Sequence, residues 1–175
     1  MIHSTTILAV RGKEGIAIGG DGQITFQNII MKHQANKIRS LYKGKVLAGF
    51  AGGVADALTL FEKFEKKIEQ YRGNLSRAAL ELAKDWRQDK ILRRLEALMI
   101  VADQKKTLMI SGSGDVVEPD NEVIAIGSGA GYAQAAAQAL AEHTSFSPRK
   151  IVDIAMHITA GICVYTNEQI TIKEL

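Results

Sequence analysis

Two threonines stand four residues from the N-terminus, and their types and position suit nucleophilic chemistry. Thr5 and Thr6 follow the short segment 1–4 and open the apolar run 7–10. Cleavage after residue 4 would give Thr5 a free α-amine beside its hydroxyl, and the pKa of such an amine is ordinarily near 8. An α-amine and a hydroxyl on one threonine form a base and a nucleophile. The alternative is that both are β-branched residues opening a strand, and Thr6 is expected to be no more than that.

An aspartate and a lysine further along could support this nucleophile. Asp21 lies among the glycines of segment 19–22, which is expected to break the strand at residues 16–18 and lets the backbone approach closely. Asp21 would orient a nearby cation, or it would only cap its own turn. Lys37 lies in a segment, 31–41, whose cations are mostly expected in solvent. If Lys37 is buried beside Thr5, its charge would lower the pKa of the amine and hydroxyl, and Asp21 would keep it protonated.

Glycines at two other places could supply backbone donors. The loop 127–131 reads Gly-Ser-Gly-Ala-Gly and partly matches a dinucleotide fingerprint, but Tyr132 stands where the third glycine belongs. We favour a helix N-terminus whose N–H groups, with the Ser128 hydroxyl, face a site. Gly49, near a strand end, could offer its N–H to a developing oxyanion. Cys163 is expected to be a buried apolar residue rather than a nucleophile.

Length and composition favour one globular domain. The chain has 175 residues, 46% of them hydrophobic and 23% charged. No apolar run approaches the ~20 residues of a membrane span, and segment 1–4 is too short for a secretory signal, so we expect a cytoplasmic location. One cysteine excludes an intrachain disulfide. A net charge of +3 without a dense basic tract does not indicate nucleic-acid binding.

The order of predicted elements favours stacked sheets. Strands are expected up to about residue 51, and paired helices at 54–71 and 75–95. Strands then follow at 97–102, 107–111, 116–117 and 123–126, a second helix pair at 132–143 and 148–160, and strand-like runs at 162–165 and 169–172. Because the helices come in pairs, we predict an α+β fold with two antiparallel sheets between helical layers, not a doubly wound parallel sheet.

Seven motifs, in order along the whole chain, resemble the HslV (ClpQ) family of bacterial proteasome-like threonine peptidases. They lie at residues 5–11, 20–23, 45–52, 81–87, 93–98, 124–129 and 165–167. The resemblance implies a four-layer αββα Ntn-hydrolase sandwich, with residues 1–4 as a propeptide and 5–175 as one peptidase domain. It also implies roles for single residues: Thr5 as the nucleophile, Lys37 as the lysine that tunes it, Asp21 as the carboxylate that holds this lysine, Ser128 as the serine near the threonine amine, and Gly49 as the glycine whose N–H faces the oxyanion.

The resemblance also implies partners and a cation. Family members form two stacked hexameric rings around their active sites, and a hexameric AAA+ ATPase, HslU, feeds protein substrates in and activates the peptidase. This chain has no P-loop of its own, so ATP hydrolysis would belong to that partner. A monovalent cation, written as sodium, would bind main-chain carbonyls of Ala160, Cys163 and Thr166. The family usually has glycine where this chain has Ala160, and alanine narrows the allowed backbone angles.

The leader is a second departure from the family pattern. Many members carry only the initiator methionine before the threonine, whereas here residues 2–4 must also be removed, by self-cleavage or by another peptidase. Ser4 would be the nucleophile if cleavage fell one residue earlier, but the family pattern runs without interruption from Thr5 to Asp21. Two rival hypotheses are a silent ring subunit whose Thr5 is never unmasked, and a nucleotide-binding module built on loop 127–131.

Overall fold

The secondary structure follows the predicted order with four additional short strands, at residues 2–3, 24–26, 29–32 and 38–41. The computed structural model describes residues 2–3, 5–90 and 97–175. The strands are β1 Ile2–His3, β2 Thr6–Gly12, β3 Gly15–Asp21, β4 Ile24–Phe26, β5 Ile29–Lys32, β6 Ile38–Leu41, β7 Val46–Ala51, β8 Leu98–Ala102, β9 Thr107–Ser111, β10 Val116–Val117, β11 Val123–Gly127 and β12 Ile170–Glu174. The helices are α1 Val54–Gln70, α2 Leu75–Gln88, α3 Ala130–His143 and α4 Pro148–Ala160.

Two antiparallel sheets form the middle layers. One has the strand order β11-β2-β3-β12, and the other has the order β10-β9-β8-β7-β6. A third, small sheet of β1, β4 and β5 lies outside both. The strand that carries Thr6 is therefore central in its sheet, which fixes its register on both edges.

Alternating side chains bind the four layers together. In β2, Ile7 belongs to the apolar cluster between the two sheets, whereas Leu8 belongs to the cluster under α3 and α4. Phe64 of α1 and Trp86 of α2 are fully buried in a third cluster against the other sheet. This arrangement confirms the predicted αββα sandwich.

The helix boundaries follow the capping signals in the sequence. The Asn74 side chain accepts a hydrogen bond from the Arg77 N–H at the start of α2, and the Ser147 side chain accepts one from the Lys150 N–H at the start of α4, ahead of Pro148. Along the described ranges, every helix is too short or too polar to cross a lipid bilayer.

Two sequence expectations about strands were wrong. Gly19 and Gly20 do not break the strand but continue β3 to Asp21, because neighbours pack where their side chains would be: a Cβ on Gly20 would lie 2.7 Å from Ile7 Cδ1. The run 162–165 is a turn after α4, not a strand, and its amides bond locally, as in the Thr166 N–H to Cys163 carbonyl bond. The predicted helix 75–95, the motif 93–98 and the leader 1–4 fall partly outside the described residues.

Candidate active site

A buried carboxylate organises the site at the end of β3. Oδ1 of Asp21 accepts hydrogen bonds from the Thr6 N–H (2.9 Å) and the Lys37 Nζ (3.1 Å). Its Oδ2 accepts from the N–H groups of Gln23 (3.0 Å) and Asn167 (3.4 Å). Asp21 therefore does both things considered from the sequence, since it caps its own turn and also holds a cation.

Lys37 is nearly buried beside that carboxylate. Its side chain is 9% exposed, and its Nζ also donates to the Gln23 carbonyl at 2.5 Å. Burial lowers the pKa of Lys37, and the charge of Asp21 opposes that effect. The Phe50 N–H donates to the Lys37 carbonyl, which fixes the backbone of this segment against β7.

Thr5 immediately precedes β2 and has an unusual backbone conformation. It is 2% exposed, and its φ of 128° is in a region that β-branched residues rarely adopt. Its carbonyl accepts a hydrogen bond from the Ser128 N–H at 2.9 Å, so Ser128 lies next to Thr5 as predicted. A Cβ on Gly127, whose φ is 95°, would lie 1.9 Å from the Thr5 carbonyl oxygen. Only glycine allows this approach.

A cavity of about 160 Å³ opens beside Thr5 and Lys37. Its walls are largely apolar, and two further cations, Lys32 and Arg39, line it. The guanidinium of Arg39 lies over the Phe61 ring, 5.2 Å from the centroid. None of the described lining residues carries a carboxylate; the others are Ile24, Ala35, Asn36, Phe50, Gly52, Ala57 and Leu58.

The structure does not place Gly49 on the wall of this cavity. Gly49 is in the middle of β7, paired with Ile38 and Ile100, and a Cβ on it would lie 2.7 Å from Ile7 Cγ2. It therefore faces the layer between the sheets. Gly52, three residues later, does line the cavity and has a φ of 154°. Thr5, Asp21, Lys37 and Ser128 come together as predicted, whereas the role of Gly49 stays a prediction.

Residues that the sequence analysis left without a role hold the site in place. The buried Gln23 side chain donates to Thr25 Oγ1 and to the Val164 carbonyl. The Asn167 side chain accepts from the Gly22 N–H and donates to the His33 carbonyl. Each lies inside a motif of the family resemblance, 20–23 or 165–167, and that was the only sequence signal for them.

The residues expected to bind a cation lie at the end of α4. Ala160 is the last residue of that helix, so its helical backbone suits alanine, and helix-terminal carbonyls have no partner within the helix. Cys163, which is buried, and Thr166 follow in the adjoining turn. The described residues hold no cluster of three or more His, Cys, Asp or Glu side chains. Carbonyl oxygens at this turn fit a hard cation.

The loop 127–131 has no free amides at its centre for a nucleotide phosphate. The Ser128 N–H is bonded to the Thr5 carbonyl, and the Gly129 N–H is bonded to Thr6 Oγ1 at 2.9 Å. A Cβ on Gly129 would lie 2.4 Å from that hydroxyl, so the loop is packed against β2. This geometry argues against the nucleotide-binding hypothesis and for a loop that serves the threonine site.

Comparison with known proteins agrees with this geometry. The family model described as "Proteasome subunit" matches residues 1–175. This chain belongs to the proteasome subunit family. It is 60% identical over 176 residues to the ATP-dependent protease subunit HslV of Caldicellulosiruptor saccharolyticus, with 100% of both chains covered. It is also similar to the crystal structure of eukaryotic HslV from Trypanosoma brucei, with a TM-score of 0.92, 44% identity, and 97% and 98% of the two chains covered.

Family membership confirms the main sequence predictions. The resemblance to HslV and the α+β Ntn-hydrolase sandwich are both borne out. The chain is accordingly a hydrolase of the proteasome-type peptidases.

Proposed function

We propose that this chain is the peptidase subunit of an ATP-dependent protease and that Thr5 is its nucleophile once residues 1–4 are removed. The observation that carries the proposal is the shared cavity of Thr5 and Lys37, with the Lys37 Nζ held by the buried Asp21. A lysine in this setting places a positive charge on the wall of the same cavity as Thr5. The substrates are proteins and peptides that reach the cavity in an unfolded form.

The mechanism follows from the chemistry of an N-terminal threonine. Thr5 Oγ attacks the substrate carbonyl, and the Thr5 α-amine takes the hydroxyl proton and then donates it to the leaving amine. The charge of Lys37 favours the deprotonated oxygen and lowers the pKa of the amine. The acyl–threonine ester is then hydrolysed by water, which restores the hydroxyl.

A backbone amide stabilises the oxyanion in this mechanism, and two observations favour Gly52 as its donor over Gly49. Gly52 lines the cavity beside Thr5, whereas Gly49 faces Ile7 between the sheets. The φ of 154° at Gly52 gives it a backbone orientation that other residues rarely adopt. A fixed N–H at this point acts without reorganisation as the charge develops.

The leader is removed by self-cleavage in this proposal. The backbone of Ile2–His3 pairs with β4, with Ile2 opposite Phe26 and His3 opposite Thr25, and Ile24 of the same strand lines the cavity. The described part of the leader therefore runs beside a strand that borders the cavity. Attack of Thr5 Oγ on the carbonyl of residue 4 breaks the amide C–N bond, forms an ester and frees the Thr5 amine. Water then hydrolyses the ester and releases residues 1–4 as an acid.

The assembly and partner are also proposals. We propose a homo-oligomer of two stacked hexameric rings that receives substrates from the AAA+ ATPase HslU in the cytoplasm. The relative with 60% identity is named as a subunit of an ATP-dependent protease, which supports both an ATPase partner and an assembly. The β4–β5 hairpin supports a protein interface, because Ile29 and Met31 are 65% and 67% exposed there.

A sodium ion is proposed at the carbonyls of Ala160, Cys163 and Thr166. The support is their position at the end of α4 and in the turn that follows, where oxygen atoms are the available donors. When bound, such an ion would stabilise this turn by neutralising its carbonyl dipoles. Asn167, the next residue of the chain, holds Asp21 from the same turn.

Peptide hydrolysis by the wild type and Thr5→Ala tests the proposed function. We expect hydrolysis of unfolded protein or fluorogenic peptides by the wild type, and none by Thr5→Ala, which also keeps its leader. Thr171→Ala, at an exposed threonine of β12, is the matched control and should keep full activity. Equal activity of Thr5→Ala and the wild type would refute the nucleophile, and an inactive wild type with an intact leader would support the silent-subunit alternative.

A further inference from the structure

We infer that the hydroxyl of Thr6 is a positioning group for the peptidase reaction, joining the nucleophile's strand to the loops that hold Thr5 and Asp21. The inference rests on the proposed function and adds a second threonine to it. From the sequence, Thr6 was expected to be only the next residue of the strand. It is the first residue of β2, and the inference adds a role to that position.

The Thr6 side chain is enclosed on the side of the sheet opposite the second sheet. It is 0% exposed and lies two residues before Leu8, which packs in the cluster under α3 and α4. Residues two apart in a strand face the same way, so the Thr6 hydroxyl is directed at this helical layer. Thr6 is absent from the described lining of the cavity, so it does not contact a substrate bound there.

Three parts of the chain meet at this hydroxyl. Thr6 Oγ1 accepts a hydrogen bond from the Gly129 N–H at 2.9 Å and is 2.7 Å from Thr166 Oγ1. Gly129 is the N-cap of α3 and has no side chain of its own for capping, so β2 supplies the acceptor at this helix start. A Cβ on Gly129 would lie 2.4 Å from Thr6 Oγ1 and 3.0 Å from Thr166 Oγ1, which shows how closely the three segments approach.

Both partners of the hydroxyl are one residue from a group that holds the active site. Gly129 follows Ser128, whose N–H binds the Thr5 carbonyl. Thr166 precedes Asn167, whose N–H binds Asp21 Oδ2. Thr6 also donates its own N–H to Asp21 Oδ1. The side chain of Thr6 thus fixes the two loops, and its backbone fixes the carboxylate, while neither touches the substrate cavity.

Removing the hydroxyl should therefore lower kcat and leave KM almost unchanged. Thr6→Val keeps the shape but leaves the buried Gly129 N–H without its acceptor, and Thr6→Ser keeps the acceptor. We expect Thr6→Val to reduce kcat about tenfold or more, because small displacements of reacting groups cost up to ~100-fold in rate. KM should stay within about twofold of the wild type, and Thr6→Ser should recover most of the lost kcat.

Thr159→Val is the matched control. Thr159 is also 0% exposed, but its hydroxyl donates only to the Ala155 carbonyl one turn earlier in α4. This variant makes the same chemical change in the same layer. The Thr159 methyl group also lies beside Gly129, but its hydroxyl bonds within α4 and not to β2 or the two loops. We expect it to lose thermal stability to a similar degree while keeping its kcat.

The outcomes separate this inference from the proposed function. An inactive wild type, or an active Thr5→Ala, would overturn the proposed function itself. With those two results as expected, the inference is overturned if Thr6→Val keeps wild-type kcat, if Thr6→Ser is no better than Thr6→Val, or if Thr159→Val loses as much kcat. If Thr6→Val does not fold, Thr166→Val and Thr166→Ser make the same comparison from the other end of the hydrogen bond, with the same expected and contradicting results.

Discussion

Lys37 and Asp21 set the chemistry of the site at the scale of single residues. Burial of Lys37 favours its neutral amine, and the neighbouring carboxylate favours the ammonium ion. Burial has the larger effect, so the pKa of Lys37 lies below its ordinary value, while the ion pair with Asp21 holds the amine at the site. Asp21 is in turn held by three backbone N–H groups, so the charge of the carboxylate is fixed in position as well.

Asp21→Asn should shift the pH dependence of kcat. An asparagine keeps a hydrogen-bond acceptor but loses the charge that raises the pKa of Lys37, so this pKa falls further below its ordinary value. Because the charged lysine is the active form in the proposed mechanism, activity will be lost at a lower pH on the alkaline side than in the wild type. A series of kcat values for one peptide across alkaline pH measures this.

Asp153→Asn is the control for that shift. Asp153 is an exposed carboxylate of α4 and ion-pairs with Lys150. The Asp153→Asn variant should lose kcat at the same alkaline pH as the wild type. If Asp21→Asn also loses kcat at the wild-type pH, the reaction does not depend on the charge of Lys37.

Sequence reasoning identified those residues whose types suggested chemistry. Thr5, Asp21, Lys37 and Ser128 were singled out because a threonine near the N-terminus, a carboxylate, a lysine and a glycine-flanked serine are recognisable as types, and the family resemblance then implied a role for each. Thr6 was not, because a second threonine in a strand looks structural until its partners are known. Those partners are 123 and 160 residues away in the chain, and one sequence gives no signal of such pairs.

At the scale of elements, glycines let neighbouring segments pack directly against the backbone of β3 and β11, and this close packing positions Thr5 ahead of β2. Glycines at 19, 20 and 127 each stand where a neighbouring atom occupies the position of a side chain. The sequence suggested turns at such glycines. At Gly19 and Gly20, however, glycine is needed because side chains of neighbouring elements pack against the backbone.

The short strands β4, β5 and β6 were not predicted from the sequence. For β5 the reason is that it is exposed along its whole length and has no alternating pattern. The run 162–165 was misjudged because its apolar side chains Ile162 and Val164 are mostly in solvent.

Gly127→Ala should destabilise the protein and impair the site. The added methyl group would overlap the Thr5 carbonyl, and the residue would have to keep a φ of 95°. We expect the free energy of unfolding to fall by about 1–3 kcal/mol or more, and the melting temperature to fall with it. Thermal or denaturant unfolding of the purified variant measures both quantities.

Gly131→Ala is the matched control in the next element. Nothing lies within 4 Å of a Cβ at that position, which is inside α3. Replacing a glycine inside a helix by alanine stabilises it by up to about 1 kcal/mol. The two glycine variants should thus move stability in opposite directions, and a Gly127→Ala variant as stable as the wild type would contradict the described contact.

The cavity formed by β4, β6 and α1 should discriminate against cationic side chains. Lys32, Lys37 and Arg39 line it, and no described lining residue supplies a carboxylate. We expect peptides with leucine before the cleaved bond to be hydrolysed faster than those with lysine, and Arg39→Glu to improve the lysine-to-leucine ratio of kcat/KM about fivefold. Lys105→Glu, at an exposed lysine between β8 and β9, should leave the ratio unchanged. A ratio that does not respond to Arg39→Glu would show that this residue does not select the substrate.

At the scale of the whole molecule, the sandwich brings distant segments of the chain to one end. Segments near residues 5, 21, 37, 128 and 167 meet there, because β2 and β3 are central in their sheet and β11 borders them. The paired helices and the strand order made this architecture predictable from the sequence. The pairing of Ile2–His3 with β4 was not predictable, since β4 is a strand that the sequence did not reveal.

In the proposed mechanism, activity belongs only to the processed chain. A protein that retains residues 1–4 has an amide nitrogen at Thr5, which cannot act as the base. Under this proposal, processing creates the catalytic amine and frees the edge of β4 in one event, and the state of the N-terminus decides whether the protein is active.

Intact-mass and N-terminal peptide analysis of the active protein tests the central claim most directly. The active fraction is purified and assayed for peptide hydrolysis, and the mass of its chains is measured in the same sample. We expect every active preparation to contain chains that begin at Thr5, with activity in proportion to that fraction. Full peptidase activity in protein whose chains all retain residues 1–4 would contradict the account.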